Sequence, residues 1–197
     1  MRQTHVGFVI GHRPAMTARD EFSGEIRAVF LSRAARRGVL SLGGALYRCA
    51  FGRAGIAADK REGDGATPMG RFALRRVFFR PDRGPRPATA LATVPLTPDL
   101  GWCEDPSSAR YNRLVRLPAS SRHERPHDHM WRDDRLYDIC VEIAYNDDPV
   151  VKGRGSAIFL HLARPGYAPT QGCIAVGERD MRRLLARLSP GAVLRIG

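Results

Sequence analysis

The apolar residues of this chain come in short runs of strand length, closed off by glycine or proline, of which the sequence holds 20 and 14. A chain so interrupted has little room for long helices. The pattern implies a mainly β domain, sandwich-like or a partly open barrel, with a few short helices. Residues 26–32, 38–42, 45–51, 70–80, 88–98, 156–162, 172–176 and 192–196 read as strands. Gly43-Gly44 separates the second from the third as a two-residue hairpin turn that tolerates positive φ. The clearest alternation runs over 136–145: Tyr137, Ile139, Val141, Ile143 and Tyr145 share one face, and Leu136, Asp138, Cys140, Glu142 and Ala144 the other. No more than two helices are expected. The better defined covers 178–188, with Met181, Leu184, Leu185 and Leu188 on its apolar side and Pro190-Gly191 ending it. Residues 81–90 and 118–135 read as long loops able to wall a site. One domain is expected over 27–197, preceded by a weakly ordered or accessory segment, residues 1–26.

Composition narrows the function classes. With 197 residues and 43% hydrophobic side chains, the chain can build a real core, which excludes global disorder. It has no run of about 18 apolar residues, so no transmembrane helix is expected. The net charge of +12 rests on 30 Arg and 2 Lys, and most of the excess lies in residues 1–98, at +10 against +2 for 99–197. Such a charge favours an anionic partner. No nucleic-acid motif or basic–aromatic interleaving accompanies it, so nucleic acid is not an expected partner. Four cysteines without CxxC spacing are too few for a disulfide scaffold; a single bridge among Cys49, Cys103 and Cys140 stays open.

The chemistry concentrates in residues 153–176. His161 lies near the end of an apolar strand, and Cys173 opens another after an eleven-residue excursion. If the two strands are neighbours, the imidazole comes within reach of the sulfur. A free thiol is mostly protonated at neutral pH, and a nearby His can take that proton and favour a thiolate–imidazolium pair. Gly172 removes a side chain where a substrate carbonyl must approach, a turn there can aim backbone N–H groups at one point, and the Thr170 hydroxyl can brace it. Against this stands the plainer possibility of a small buried cysteine and a hydrogen-bonded histidine.

The run SAIFLH…PTQGCIAV resembles the signature of YkuD-type L,D-transpeptidases: an upstream His, a spacer, then Ser/Thr-x-Gly-Cys. KREGDGATPMG at 60–70 is similar to the family's KxGDGxTPxG loop. GWCEDP, YNR, LYD and YND recur in the same order as in one branch of the family, so the resemblance spans roughly 27–197. It implies a β-sandwich-like catalytic domain with Cys173 as acyl-accepting nucleophile and His161 as its activating imidazole. It also implies the Leu162 carbonyl as the group orienting His161, and the amides of Gly172 and Cys173 as an oxyanion hole. Two departures stand out. Gln171 replaces a His found before the Gly-Cys pair in many members, and Ile174, Ala175 and Val176 follow the Cys where many have Arg. A clamp on a substrate carboxylate therefore has to come from elsewhere; Arg113, Arg154 and Arg164 are the candidates by nearness to motifs, with Thr170 and Gln171 as further substrate contacts.

The implied reaction is acyl transfer through a Cys173 thioester between peptidoglycan stem peptides as donor and acceptor. L,D-carboxypeptidase activity from the same pair is the alternative. A basic envelope- or nucleic-acid-binding module is the non-enzymatic alternative. Gly63–Pro68 lacks phosphate-loop spacing and reads as a turn or a cleft-lining loop. His123, His127 and His129 with Glu124, Asp128 and Asp133 are dense in potential ligands, and a metal-dependent peptidase using them is a third reading. They lack a regular ligand spacing, and neither metal nor cofactor is expected. Glu124 and Asp138 read as hydrogen-bonding wall residues, and Trp102 and Trp131 as packing or substrate-flanking rings. Residues 1–10 lack the apolar core of a secretory signal, so a periplasmic or envelope location is expected from function only.

Overall fold

A computed structural model describes residues 24–118 and 127–197. Strands β1 (Glu25–Val29), β2 (Arg37–Leu42) and β3 (Ala45–Ala50) form an antiparallel meander. Gly43 and Gly44 make the tight turn between the last two at φ of 52° and 79°, the left-handed conformation that a type I′ turn demands. Two short paired strands, β4 (Ile56–Ala57) and β5 (Thr67–Pro68), bracket the Gly-rich segment. The ten-residue β6 (Gly70–Phe79) follows, with β7 (Ala92–Pro95) parallel beside its second half. Strands β8 (Leu100–Cys103), β9 (Leu114–Arg116) and β10 (His127–His129) make a separate antiparallel sheet in the order β10-β8-β9. The chain then returns through β11 (Ile139–Ile143), β12 (Phe159–Leu162), β13 (Ile174–Val176), α1 (Glu178–Leu185) and β14 (Val193–Ile196).

Pairing in the large sheet runs β11-β12-β13-β3-β2-β1-β14-β6, and β6 also pairs with β11, so eight strands form a closed circuit. Residues 70–73 of β6 serve β14, and residues 74–79 serve β11. The architecture is mainly β, as expected, and the closure goes beyond an open sandwich-like reading. Alternation along the strands sends one set of side chains into a common interior: Ile26, Leu40, Leu74, Val141, Leu160, Ile174 and Leu194 pack there with Met181, Leu184 and Leu185 of α1. Each such burial stabilises the fold by about 1.5–3 kcal/mol before entropy is counted. The opposite set on β6, β11 and β12 faces outward. There Phe78, Cys140 and Phe159 meet Leu100 and Trp102 of β8, together with Met130, in a second core. Phe159 is its centre, edge-on to Trp102 at 5.0 Å and to Tyr137 at 5.7 Å.

Several expectations are corrected. Strand β11 is shorter than 136–145 because residues 135–138 form a turn, with Arg135 at φ 66° and the Asp138 amide donating to the Arg135 carbonyl. Tyr137 therefore leaves the face of Ile139 and joins the second core. Strand β12 begins at Phe159, not at 156, because Ala157 sits at φ 52° and kinks the chain. Strand β10 lies inside the expected 118–135 loop. Helix α1 ends at Leu185, since Arg187 and Leu188 tighten into bonds to Leu184 and Leu185 ahead of Pro190; one further 3-10 turn occupies Pro165–Tyr167. All four cysteines are free and buried. Cys49, Cys103 and Cys140 lie in three different clusters, so the bridge left open above does not form. The expected N-terminal segment falls outside the described residues except for its last three, and β1 already begins at Glu25 with Ile26 fully buried.

Candidate active site

Strands β12 and β13 are parallel neighbours, with Leu160 opposite Ile174 and His161 opposite Ala175. In this register the inward residues are Leu160, Leu162, Ile174 and Val176. His161, Cys173 and Ala175 are left on the outer face, where all three line one cavity of about 890 Å³. Strand β10 walls it through His127, Asp128 and His129. The Gly-rich segment adds Lys60, Glu62 and Gly63, and the turn before β13 adds Thr170 and Gln171.

His161 is held by the group expected from the resemblance. Its Nδ1 lies 2.8 Å from the Leu162 carbonyl. A carbonyl only accepts, so Nδ1 carries the proton and Nε2 is the basic nitrogen. The Tyr137 ring stands edge-on to the imidazole at 5.4 Å. Its hydroxyl donates to Asp128 at 2.5 Å, and Arg132 donates to the other Asp128 oxygen at 3.1 Å. Burial raises the Asp128 carboxyl, opposed by the Tyr137 hydroxyl and the Arg132 charge. The imidazole thus rests on a supported wall.

The Cys173 thiol donates to the Ala157 carbonyl at 3.2 Å and accepts from the Phe159 amide at 3.4 Å. The Ala157 kink is what turns that carbonyl toward the sulfur. The Cys173 carbonyl is pinned by Thr170 Oγ1 at 2.6 Å and Thr67 Oγ1 at 3.4 Å. Gly172 adopts φ 137°, and a Cβ there would stand 2.8 Å from the Ala66 carbonyl oxygen, so the position requires glycine. Its amide donates to Thr170 Oγ1 at 3.1 Å. The Gly172 amide, expected to serve an oxyanion hole, is engaged by the turn in this structure.

Burial dominates the electrostatics of the two side chains. Burial pushes the Cys173 thiol up to about 12, with the Phe159 amide opposing. Burial brings His161 down to about 4, with the Leu162 carbonyl opposing. Thiol and imidazole are both neutral at pH 7. Alkylation of Cys173 by iodoacetamide, followed by peptide mass spectrometry, should consequently rise about tenfold per pH unit from pH 6 to 10. A plateau below pH 8 would reveal a preformed thiolate and contradict the neutral pair.

The three arginine candidates separate in space. Arg164 lines the cavity and approaches Asp134 at 3.5 Å. Arg113 does not line it: its guanidinium donates to the carbonyls of Asn112 and Asp147, in a depression of about 380 Å³ shared with Arg75 and Glu142. Arg154 pairs with Asp59 on the surface, also away from the cavity. Nearness to a motif in sequence did not carry these two side chains to the site. Arg53, Lys60 and Arg132 are the additional cations that line it. Trp102 packs against Phe159 and Trp131 lies under Arg80, so both rings pack. Asp138 ties Arg83 to Arg135. His123 and Glu124 lie outside the described residues, among which no group of three or more His, Cys, Asp or Glu is arranged to hold a metal. No helix among the described residues is long and apolar enough to cross a membrane.

Three supporting residues carried no assigned role in the sequence: Asn112, Ala157 and Lys60. Asn112 lies in YNR and Lys60 opens KREGDGATPMG, so the segments stood out while the side chains' duties did not. The kink at Ala157 has no sequence signal, since alanine rarely adopts positive φ.

Comparison with known proteins adds three findings. The YkuD family model, described as the L,D-transpeptidase catalytic domain, matches residues 27–196. No curated protein matches the chain. Among solved structures, L,D-transpeptidase 1 of Mycobacterium tuberculosis is similar over 88% of this chain at 11% identity and a TM-score of 0.36. The match covers 62% of that chain.

Proposed function

The chain belongs to the YkuD family of L,D-transpeptidase catalytic domains, and from that premise we propose that it is a cysteine acyltransferase acting on peptidoglycan stem peptides. The observation carrying this reading is the bond of His161 Nδ1 to the Leu162 carbonyl at 2.8 Å, which leaves Nε2 basic in the cavity that Cys173 also lines. Burial brings the imidazole down to about 4, so it stays neutral at physiological pH and its Nε2 is unprotonated.

Cys173 Sγ attacks the carbonyl of an L-centre at an L–D peptide bond while its proton passes to His161 Nε2. The sulfur–carbon bond forms and the carbonyl π pair moves onto oxygen. On collapse, the carbon–nitrogen bond breaks and the departing D-amino acid takes the proton from His161, leaving a thioester on Cys173. An amine of a second stem peptide then attacks the thioester and gives a cross-link; water in its place gives a shortened stem. Thr170, Gln171 and Arg164 supply polar contacts to the donor. This substrate implies residence in the periplasm or envelope.

Purified protein incubated with disaccharide-tetrapeptide stems should yield cross-linked dimers and the released D-amino acid by mass spectrometry. Shortened monomers alone would replace transpeptidation with carboxypeptidase activity. No change in the stems would overturn the substrate assignment.

A further inference from the structure

Lys60 is one of only two lysines among 32 basic residues, and it is 5% exposed at the wall of the Cys173 cavity. A lysine is seldom buried without a counterion or a task. Part of the explanation is structural. Its ammonium donates to Asp64 Oδ1 at 2.7 Å and to the Arg61 carbonyl at 3.2 Å. An ammonium has three protons, and among the described residues these two acceptors are the partners it finds.

Its path explains the rest. The stem runs past Gly155, where a Cβ would stand 3.0 Å from Lys60 Cε. The ammonium arrives beside Gly172, where a Cβ would stand 3.5 Å from Nζ. Both glycines have positive φ, 102° and 137°. Two backbone positions without side chains thus open a slot that delivers a slender cation next to the residue preceding Cys173. The compact ammonium on a slender stem suits that slot. Against the burial that raises the Cys173 thiol, the Lys60 charge acts to lower it.

The Gly172 amide is spent on Thr170, so the anion that forms beside Cys173 lacks one of the two backbone donors expected for it. We propose that Lys60 is a further catalytic residue, its ammonium stabilising the oxyanion that forms when Cys173 attacks a carbonyl. The inference rests on the cysteine acyltransferase reading. No proton leaves Lys60: as the carbonyl π pair moves to oxygen, the remaining N–H turns to it, and the pair returns when the leaving group departs. A fixed charge in a water-poor site is worth far more to such an anion than the same charge in solvent.

Two probes of Cys173 separate this role from a general effect on the thiol. p-Nitrophenyl acetate acylates the sulfur through an oxyanion, whereas iodoacetamide alkylates it by displacement without one. Lys60→Met should slow acylation by about 10²–10³-fold, as loss of one oxyanion donor does, and slow alkylation by less than about tenfold. Lys60→Gln can still donate to Asp64 and keeps that half-buried carboxylate partnered. It should show the same split and decides the matter should the methionine variant fail to fold. Equal losses with both probes, or no loss with either, would overturn the assignment. If acylation instead survives Cys173→Ala, the cysteine reading itself has failed, whatever Lys60 does.

Discussion

Replacing Cys173 with alanine should abolish acyl transfer, by at least about 10⁴-fold in kcat/KM, because no other group on the cavity wall can form the thioester. The loss should come without unfolding. The sulfur makes two weak hydrogen bonds, to the Ala157 carbonyl and from the Phe159 amide, and thermal unfolding should move by only a few degrees. Cys173→Ser is the sharper variant. It keeps a donor for Ala157 and nearly the same shape, yet a hydroxyl is a far poorer nucleophile beside a base with a pKa of about 4. Intact-protein mass after incubation with p-nitrophenyl acetate should show one added acetyl on the native chain and none on either variant. Stem-peptide turnover above about 1% of native in Cys173→Ala would place the chemistry elsewhere.

The second large effect is expected at Asn112, which never contacts the thiol. It is buried at φ 56°, with every hydrogen-bonding position of its amide engaged. Oδ1 accepts from Trp102 Nε1 at 2.8 Å and from the Ala157 amide at 3.2 Å. Nδ2 donates to the carbonyls of Tyr145 at 3.0 Å and Asn146 at 2.7 Å. Two buried and two part-buried partners lose their mate in Asn112→Ala, and a left-handed backbone must be held by alanine. Roughly 4 kcal/mol of destabilisation is expected, read from urea unfolding. Asn112→Asp keeps the two accepted bonds but turns an oxygen toward two carbonyls, so it should also destabilise. Because Asn112 sets the Ala157 amide, and Ala157 sets the thiol, Cys173 alkylation should accelerate in both variants under native conditions. A stability loss below about 1 kcal/mol would mean that water replaces the amide and that the hub matters little.

The legible parts of this fold are those whose signal is local. The Gly43-Gly44 turn, the runs forming β2, β3, β6, β12 and β13, and the apolar stripe of α1 all follow from residue order. Strands β8, β9 and β10 were not legible, for a common physical reason. Leu100–Cys103 is buried along its whole length and shows no alternation, and Leu114–Arg116 is only three residues long. His127–His129 carries no apolar residue at all and is a strand because β8 pairs with it. At the site, the nearness of His161 and Cys173 was legible because they sit on or beside neighbouring strands that line one cavity. Arg113 and Arg154 misled, since a turn can carry consecutive side chains to opposite sides of a wall. Lys60 and Asn112 escaped assignment because their work depends on contacts to residues far away in the chain, Asn112 to Ala157 at 45 positions and Lys60 to Gly172 at 112.

The circuit of strands has a consequence for how the molecule is made. Its closing member is β14, which lies between β1 and β6 and binds both. The first strand of the circuit therefore waits for its second neighbour until the ribosome has delivered the last. A nascent chain lacking residues 193–196 exposes the flanks of β1 and β6 side by side, and unpaired strand edges invite association with other chains. Long-range pairing of this kind also slows folding, because the closure entropy of nearly the whole loop must be overcome before its contacts form. Strands β12 and β13 emerge earlier, so Cys173 and the cavity wall it belongs to are on the growing chain before the circuit can shut.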